Sequence, residues 1–406
     1  MSLLLPPGAG REARLLLLAR GLRAAADGWI SIVLPSYLLA LGLGALEIGI
    51  LATTTMLGSS VLTLAVGFMA GRLDPRRTLL AASLLMAATG LAFALAGGFW
   101  PLLVVAFVGT LNPSSGDVSL FLPLEQSLLA HSTAERDRTA LFARYSLVGS
   151  LCGASGTLVA VLPETGERLG IPLLAGLRAM FVLYGFVGVA AWLAYRGLPR
   201  GSDGTDGRPA APLGPSRRIV HRLAALFSLD SFAGGLVVQS LLALWLFDAF
   251  GLSLAAAAKL FFWTGVLSAA SYLAAPPLAR RIGLIRTMVF THLPANVCLA
   301  LVPFTSALWQ AVALLLVRSL LSQMDVPART SYVMAVVTPP ERPAAASLTN
   351  VPRSLAAALS PTLAGWLLGL SGFGWPLLLA GLLKITYDLA LLARFRHVRP
   401  PEERAG

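Results

Sequence analysis

Charge is what this chain has least of. Only 12% of its 406 residues are Asp, Glu, Lys or Arg, about half the share of a soluble domain, which excludes a water-facing surface of ordinary extent. Cysteine is nearly absent. Cys152 and Cys298 each lie inside an apolar stretch with no partner at metal-ligand spacing, so neither a disulfide framework nor a thiolate metal site is available, and both read as small packed hydrophobes. Histidine is almost as rare. His131, His221 and His397 lie near the ends of apolar runs and His292 stands alone, which excludes a histidine-based hydrolase. Nothing resembles a phosphate-binding P-loop, so nucleotide hydrolysis is not the energy source. Lysine occurs only at Lys259 and Lys384 against many arginines, the bias of a GC-rich bacterial genome.

What the chain does have is apolar surface: 56% hydrophobic residues and a mean hydropathy of +0.77. Lipid is its main environment. The formal charge of +12 sits between apolar runs rather than in a stripe with interleaved aromatics, so no nucleic acid is bound. At the N-terminus, Leu15 to Leu18 are bracketed by Arg11, Arg14, Arg20 and Arg23. That run is too short for a signal peptide, so an uncleaved first span is expected.

A spanning helix needs about 20 apolar residues, and about twelve such segments are expected: 18–41, 46–70, 78–97, 101–129, 140–162 and 173–197, then 220–249, 254–279, 285–304, 307–337, 344–370 and 374–395. The Gly- and Pro-rich stretch from Arg200 to Pro209 reads as a flexible linker. The expected organisation is therefore an N-terminal six-helix bundle at 1–197, a cytoplasmic linker at 198–219 and a C-terminal six-helix bundle at 220–406. Basic residues mark the cytoplasmic side. Arg72, Arg76, Arg77, Arg136, Arg138, Arg217, Arg218, Arg280, Arg281, Arg286, Arg342, Arg394, Arg396 and Arg399 fall on alternate connections, while the opposite connections hold little beyond Arg168 and Lys259. Both termini are expected to be cytoplasmic, in a plasma (inner) membrane.

The two halves repeat each other. Ala70-Gly71-Arg72-Leu73-Asp74-Pro75-Arg76-Arg77 returns half a chain later as Ala279-Arg280-Arg281-Ile282-Gly283-Leu284-Ile285-Arg286. At nearly the same shift, Asp27 matches Asp230, Gly42 matches Gly251, Asp117 matches Asp325, Glu135 matches Glu341 and Arg144 matches Arg353. Repeated bundles of spanning length are the architecture of transporters that enclose a path between two halves.

On these residues the chain resembles the major facilitator superfamily over essentially its whole length. The signature between that family's second and third helices is represented by Gly67, Arg72, Arg76 and Arg77, with Gly71 at the signature's Asp and Asp74 at its second Gly; the second copy keeps Arg281, Gly283 and the nearby Arg286. The resemblance implies an all-α membrane fold of two pseudo-symmetric six-helix bundles and a cytoplasmic latch at these residues. Asp74 is a substitute for the missing Asp, and Glu135, Arg144, Glu341 and Arg353 are further latch partners. Asp27 to Pro35 is similar to a first-helix pattern of some drug exporters. Gly149, Gly153 and Gly156 are similar to a glycine-rich antiporter stretch, and Ser360 to Gly365 fits it somewhat better. Close helix packing is the plainer reading of these small residues.

Ionisable residues within the spans ask for a function or a partner. Lys384 and Asp388, four apart, read as a mutual pair, as do Arg23 and Asp27. Arg144 and Arg353 can also snorkel to the interface. Asp117 follows Asn112-Pro113-Ser114-Ser115-Gly116, which should break helix four near mid-membrane, and it has no basic residue at helical spacing. It is the first proton-coupling candidate, with Asp230 and Asp27 beside it. Its repeat mate Asp325 shares a helical face with Arg329 and Arg318, and Arg318 is placed to meet an anionic group or to trade partners with an acid.

In the superfamily, helices one, four, seven and ten line the cavity. Asn112, Arg318, Asp325, Arg329, Gln239, Tyr37, Trp29 and Phe232 are therefore candidate lining residues, with Phe121 and Trp245 as further walls. No cofactor or metal is expected. The expected activity is alternating-access transport of a small molecule by a monomer, coupled to protons, with export of amphipathic or toxic compounds preferred and uptake by symport the alternative. An intramembrane aspartyl protease, from Tyr387-Asp388 and Gly116-Asp117, has the wrong motif order, and a non-transporting receptor is the remaining rival.

Overall fold

The computed structural model describes residues 10–69, 73–114, 120–131, 135–199, 214–338 and 341–396. In the first half the helices are α1 (Arg11–Ala40), α2 (Ala45–Phe68), α3 (Pro75–Leu95), α4 (Phe99–Val108), α5 (Phe121–His131), α6 (Glu135–Thr157), α7 (Leu162–Arg168) and α8 (Leu173–Arg196). In the second they are α9 (Arg217–Gly235), α10 (Gln239–Phe250), α11 (Leu254–Ile282), α12 (Leu284–Leu301), α13 (Leu308–Leu321), α14 (Asp325–Val336), α15 (Arg342–Leu370) and α16 (Trp375–Phe395). Nine described segments are long and apolar enough to cross a membrane by themselves. The charged α1, the α4–α5 pair and α15 complete about twelve passes, as expected. The chain is an all-α, multi-pass membrane protein.

Three passes are divided: α4 from α5, α9 from α10, and α13 from α14. These are the fourth, seventh and tenth. The fourth was expected as one segment over 101–129. Instead α4 stops at Val108, because Pro113 cannot donate to a helical ladder and Asn112 Oδ1 takes the Ser114 N–H at 3.0 Å and its hydroxyl at 2.8 Å, an Asx turn. Asp117 falls at 115–119, outside the described residues.

The halves are built alike. In the first, α1 packs on α6, α3 on α8 and α2 on α4; in the second, α9 packs on α15, α12 on α16 and α11 on α13. The repeat extends to backbone conformation. Gly42 and its mate Gly251 both hold positive φ, 81° and 59°, in the turns that leave α1 and α10, a region glycine enters without a Cβ penalty.

Small residues set the helix separations. A Cβ on Gly28 would meet Gly153 O at 2.2 Å and one on Gly156 would meet Ala25 O at 2.0 Å, while across the repeat a Cβ on Gly235 would meet Ala357 O at 2.2 Å. The glycines of α6 thus have the packing role expected of small residues in lipid.

The two halves touch on one side only among the hydrogen bonds recorded between them. Gly49 and Gly365 let α2 and α15 approach so closely that a Cβ on either would lie 2.5 Å or less from a facing carbonyl. Beside them the Thr362 hydroxyl bonds Thr53 at 2.8 Å. Gln239 reaches Ser31 at 2.9 Å, the Ser240 N–H reaches Pro113 O at 3.2 Å and Thr157 reaches Ala258 O at 3.0 Å. Glu164 of α7 accepts from the N–H groups of Leu254 and Ala255 at 2.5 and 3.2 Å, capping α11 of the other half and meeting the positive end of its dipole. All of these lie in the membrane half away from Arg11 and Phe395. The protein is closed on the face opposite its chain ends.

Candidate functional site at the divided helices

Each half carries a buried ionic cluster beside its divided passes. In the first half Arg23 of α1 donates to Glu125 of α5, and the same carboxylate accepts from Tyr145 of α6 and, at 2.5 Å, from Tyr195 of α8. Arg23 Nε also donates to the Tyr195 oxygen at 3.2 Å. Four helices thus meet on one fully buried carboxylate, and α5 is fixed to the bundle below the break.

This corrects the expected local pair of Arg23 with Asp27. Asp27 lies close enough for its charge to be felt by Arg23, but the guanidinium hydrogen-bonds Glu125, because a bond from another helix can be straight where the i,i+4 geometry is not. Glu125 was not among the expected site residues. The repeat comparison passes over it, since its counterpart is Val333; only its presence as an acid within the fourth span signals it.

In the second half Asp230 of α9 is the hub. Its Oδ1 accepts from Lys384 Nζ of α16 at 2.6 Å, and its Oδ2 from Arg329 Nη1 of α14 at 3.1 Å. Arg329 Nη2 in turn reaches Asp325 Oδ2 at 3.4 Å, so the expected Asp325–Arg329 contact is present and extends to Asp230. Asp230, which has no basic neighbour on its own helix, draws its partners from two others.

Lys384 and Asp388 do not neutralise each other as their spacing suggests. Lys384 turns to Asp230, and Asp388 accepts from His292 Nδ1 and from Asn296 Nδ2 of α12, both at 2.9 Å. His292, read from sequence as isolated, is therefore central. With Nδ1–H assigned to Asp388 by this hydrogen-bond pattern, its Nε2 faces Asp230 Oδ1 at 3.9 Å. The sequence signal was the pairing of His292 with Asn296 on one helical face.

The clusters share an inverted design. The guanidinium of Arg23 on α1 lies over the ring of Phe121 at the start of α5, at 4.0 Å, whereas Arg329 on α14 lies over Phe227 on α9, at 5.5 Å. The cation and the ring have exchanged helices between the repeats while keeping the same contact.

The remaining expected lining residues divide between roles. Gln239 and the Asn112 turn lie where the halves meet. Trp29 is buried in the core, and its Nε1 has no partner among the described residues; Phe232 is partly buried against the same core. Tyr37 points the other way, donating to Phe93 O at 2.7 Å and Ala96 O at 2.9 Å with its ring beside Phe181. It belongs to the first bundle's interior. Trp245 donates to Gly372 O at 3.1 Å.

At the face that carries the chain ends, Asp74 caps α3 by accepting the Arg76 N–H at 2.9 Å and lies 3.6 Å from Arg77, while Arg76 donates to Arg196 O at 3.0 Å. Gly67 faces open space. Arg281 and Arg286 are exposed, and Gly283 turns the chain at φ 88°. Arg72 and the side chain of Glu135 lie outside the described residues. Arg144 makes no ion pair among the described residues and has a buried Nη1. Arg353 bonds Ser231 at 3.1 Å and Asn350 at 3.2 Å, not Glu341.

Glu341 instead accepts from the Gly214 N–H and from the Thr338 hydroxyl at 2.7 Å, tying the end of the inter-half connection to the turn before α15. The linker expected to be flexible is therefore docked from 214 onward, and α9 begins at Arg217, ahead of the expected 220. Hydrogen bonds from Ser216, Thr338 and Gly214 hold the Glu341 carboxyl below the usual glutamate range. Such a group contributes stability above its unfolded value of about 4.3, which is lost as pH falls through the lower folded value. The protection factor of the Gly214 amide in hydrogen exchange is expected to hold from pH 7 to about pH 5 and to fall only in stronger acid. Glu341→Ala should remove that protection at pH 7.

Divided passes four, seven and ten, buried charge beside them and two pseudo-symmetric bundles define a secondary transporter fold. The chain belongs to the Major Facilitator Superfamily, which it matches over residues 16–324. This is a family of transporters rather than enzymes, so the protease reading is set aside. The chain is 24% identical to an uncharacterized membrane protein of Saccharomyces cerevisiae, YJR124C, over 95% of this chain and 94% of that one. Its fold is similar to that of the nucleoside transporter NupG, with a TM-score of 0.72 at 14% identity over 95% and 99% of the two chains. It is also similar to a bacterial homolog of the human lysosomal transporter Spinster, inward-facing and unoccupied, with a TM-score of 0.69 at 15% identity over 96% of each chain. The drug-exporter likeness is not what these comparisons bring out.

Proposed function

We propose that this protein is a proton-coupled secondary transporter that works by alternating access as a monomer in a bacterial plasma membrane, both termini cytoplasmic. The observation that carries the coupling is the charge balance around Asp230. Three buried carboxylates, Asp230, Asp325 and Asp388, are joined to two permanent cations, Arg329 and Lys384. His292 is the third base. It is the only member whose unperturbed titration falls near physiological pH, and a proton on Nε2 makes the network neutral. Loading and releasing that proton changes how strongly α12 and α16 are held to α9, which is the kind of bistable contact a coupled conformational change requires. Asp117 and Asp27 remain the proton candidates of the first half.

With cytoplasmic termini, the closed face is the outer one and the site opens inward. Export of amphipathic compounds is the direction we propose, since an exporter takes its cargo in this state; proton symport into the cell uses the same network with the opposite direction of net flux. The test is proton movement in proteoliposomes with a panel of lipophilic cations, drugs and small anions. Protons moving against the transported compound support export, and protons moving with it support uptake. A compound transported with no proton movement overturns the coupling.

A further inference from the structure

Every permanent cation near the Asp230 network has a partner except one. Arg329 and Lys384 are bonded to carboxylates, and Arg353 to Ser231 and Asn350. Arg318 stands on the last turn of α13, at the edge of the break that separates it from α14. Its Nε is buried, and it makes no hydrogen bond or ion pair with any described residue. The acid whose charge reaches it is Asp230, and both oxygens of Asp230 are already occupied by Lys384 and Arg329.

The neighbours of Arg318 on its own helix do not supply an acceptor. Ser319 donates to Leu315 O at 2.8 Å, and Gln323 accepts from Tyr272 of α11 at 2.9 Å. A guanidinium held in lipid-depth surroundings with no counter-charge is costly, and it cannot shed its proton to relieve that cost. Its position fits a group that is completed when something else arrives. The acids of the divided helices do not make this a cation site, because Asp230 and Asp325 are both engaged by bases. The charge left over is positive.

We infer that Arg318 is the anchor for an anionic group of the transported molecule, a carboxylate or a phosphate monoester, which the planar guanidinium fork can hold with two parallel hydrogen bonds. The cargo is then an amphipathic anion, and it enters the divided region of the tenth pass, beside the proton network rather than within it. This rests on the transporter reading and not on proton coupling, so it can fail while coupling stands.

The test is thermal unfolding of the purified full-length protein with no gradient present. Benzoate, phenyl phosphate and the neutral isostere benzamide are the probes, with wild type, Arg318→Gln and Arg318→Lys compared. In the absence of probe, Arg318→Gln should raise the unfolding midpoint by about 2 to 4 °C, because it removes a buried charge that nothing pairs. Benzoate or phenyl phosphate should raise the wild-type midpoint saturably, Arg318→Lys should respond less, and Arg318→Gln should not respond. Benzamide should do nothing to any of them. The inference is overturned if Arg318→Gln lowers the midpoint or fails to fold, since the guanidinium then has a structural partner. It is equally overturned if benzamide matches benzoate, or if neither anion stabilises the wild type at about 10 mM, a generous excess over a millimolar site. Stabilisation by anionic phospholipid alone would assign the site to a lipid headgroup and would also overturn it.

Discussion

Asp230→Asn is expected to lower stability by about 3 to 5 kcal/mol, the cost of breaking a buried pair and leaving its partners charged. The carboxylate is hydrogen-bonded to Lys384 at 2.6 Å and to Arg329 at 3.1 Å, and its residue is only 5% exposed. Without it, Lys384 has no acid in reach on its own helix turn, since Asp388 is taken by His292 and Asn296. Arg329 suffers less because Asp325 remains 3.4 Å away. The double replacement Asp230→Asn with Lys384→Met should therefore recover most of the loss, since removing both charges of a buried pair is often close to neutral. Equilibrium unfolding in mixed detergent micelles measures the cycle. A single variant within about 0.5 kcal/mol of wild type would mean that Asp230 is neutral in the native protein and the network is not ionic.

His292→Asn should separate transport from coupling. Asparagine keeps a donor for Asp388 but cannot take the second proton that His292 would place between Asp388 and Asp230, whose Oδ1 lies 3.9 Å from Nε2. The groups facing this imidazole are Asp230 from α9, Lys384, Tyr387 and Asp388 from α16, Asp325 and Arg329 from α14, and Asn296 from its own helix. None of the others exchanges a proton near neutrality without a large displacement from its ordinary range. Substrate-dependent proton movement is expected to fall by about a hundredfold, the scale of a positioned proton carrier, while exchange of substrate across a membrane without a pH gradient persists. Asp117→Asn, measured beside it, tests the first half in the same way. If His292→Asn carries protons as wild type does and Asp117→Asn does not, the carrier lies at Asp117 and the His292 network is structural.

Much of the architecture was legible because membrane burial writes it into composition. Long apolar runs, the alternation of arginines and the half-chain repeat are local or additive properties, and they led to twelve passes in two bundles. Gly42 and Gly251 could be matched from sequence because a turn that needs positive φ selects glycine in both copies. The site was less legible. Helical spacing proposed Lys384 with Asp388 and Arg23 with Asp27, and in both cases the cation chose an acid on another helix. Spacing detects only partners on the same helix, whereas a buried charge gains most from whichever acid lets its bonds be short and straight. Glu125 and His292 passed unnoticed for the same reason. Neither has a charged neighbour within a helical turn, and each acquires its surroundings only when three other helices arrive.

The sequence by itself determined the solvent, the number of passes and the doubling of the fold, since these follow from transfer of apolar segments into lipid and from backbone groups that must bond within each helix. It also determined where the tenth pass would bring Asp325, Arg329 and Arg318 near one another. Only the tertiary structure decided which charges cancel. Pairing in a low-dielectric interior depends on separations of a few ångströms between helices far apart in the chain, and those separations are set by how closely glycines such as Gly28, Gly156 and Gly235 let the backbones pack. That packing brings Lys384 to Asp230, gives His292 to Asp388 and leaves Arg318 without an acid.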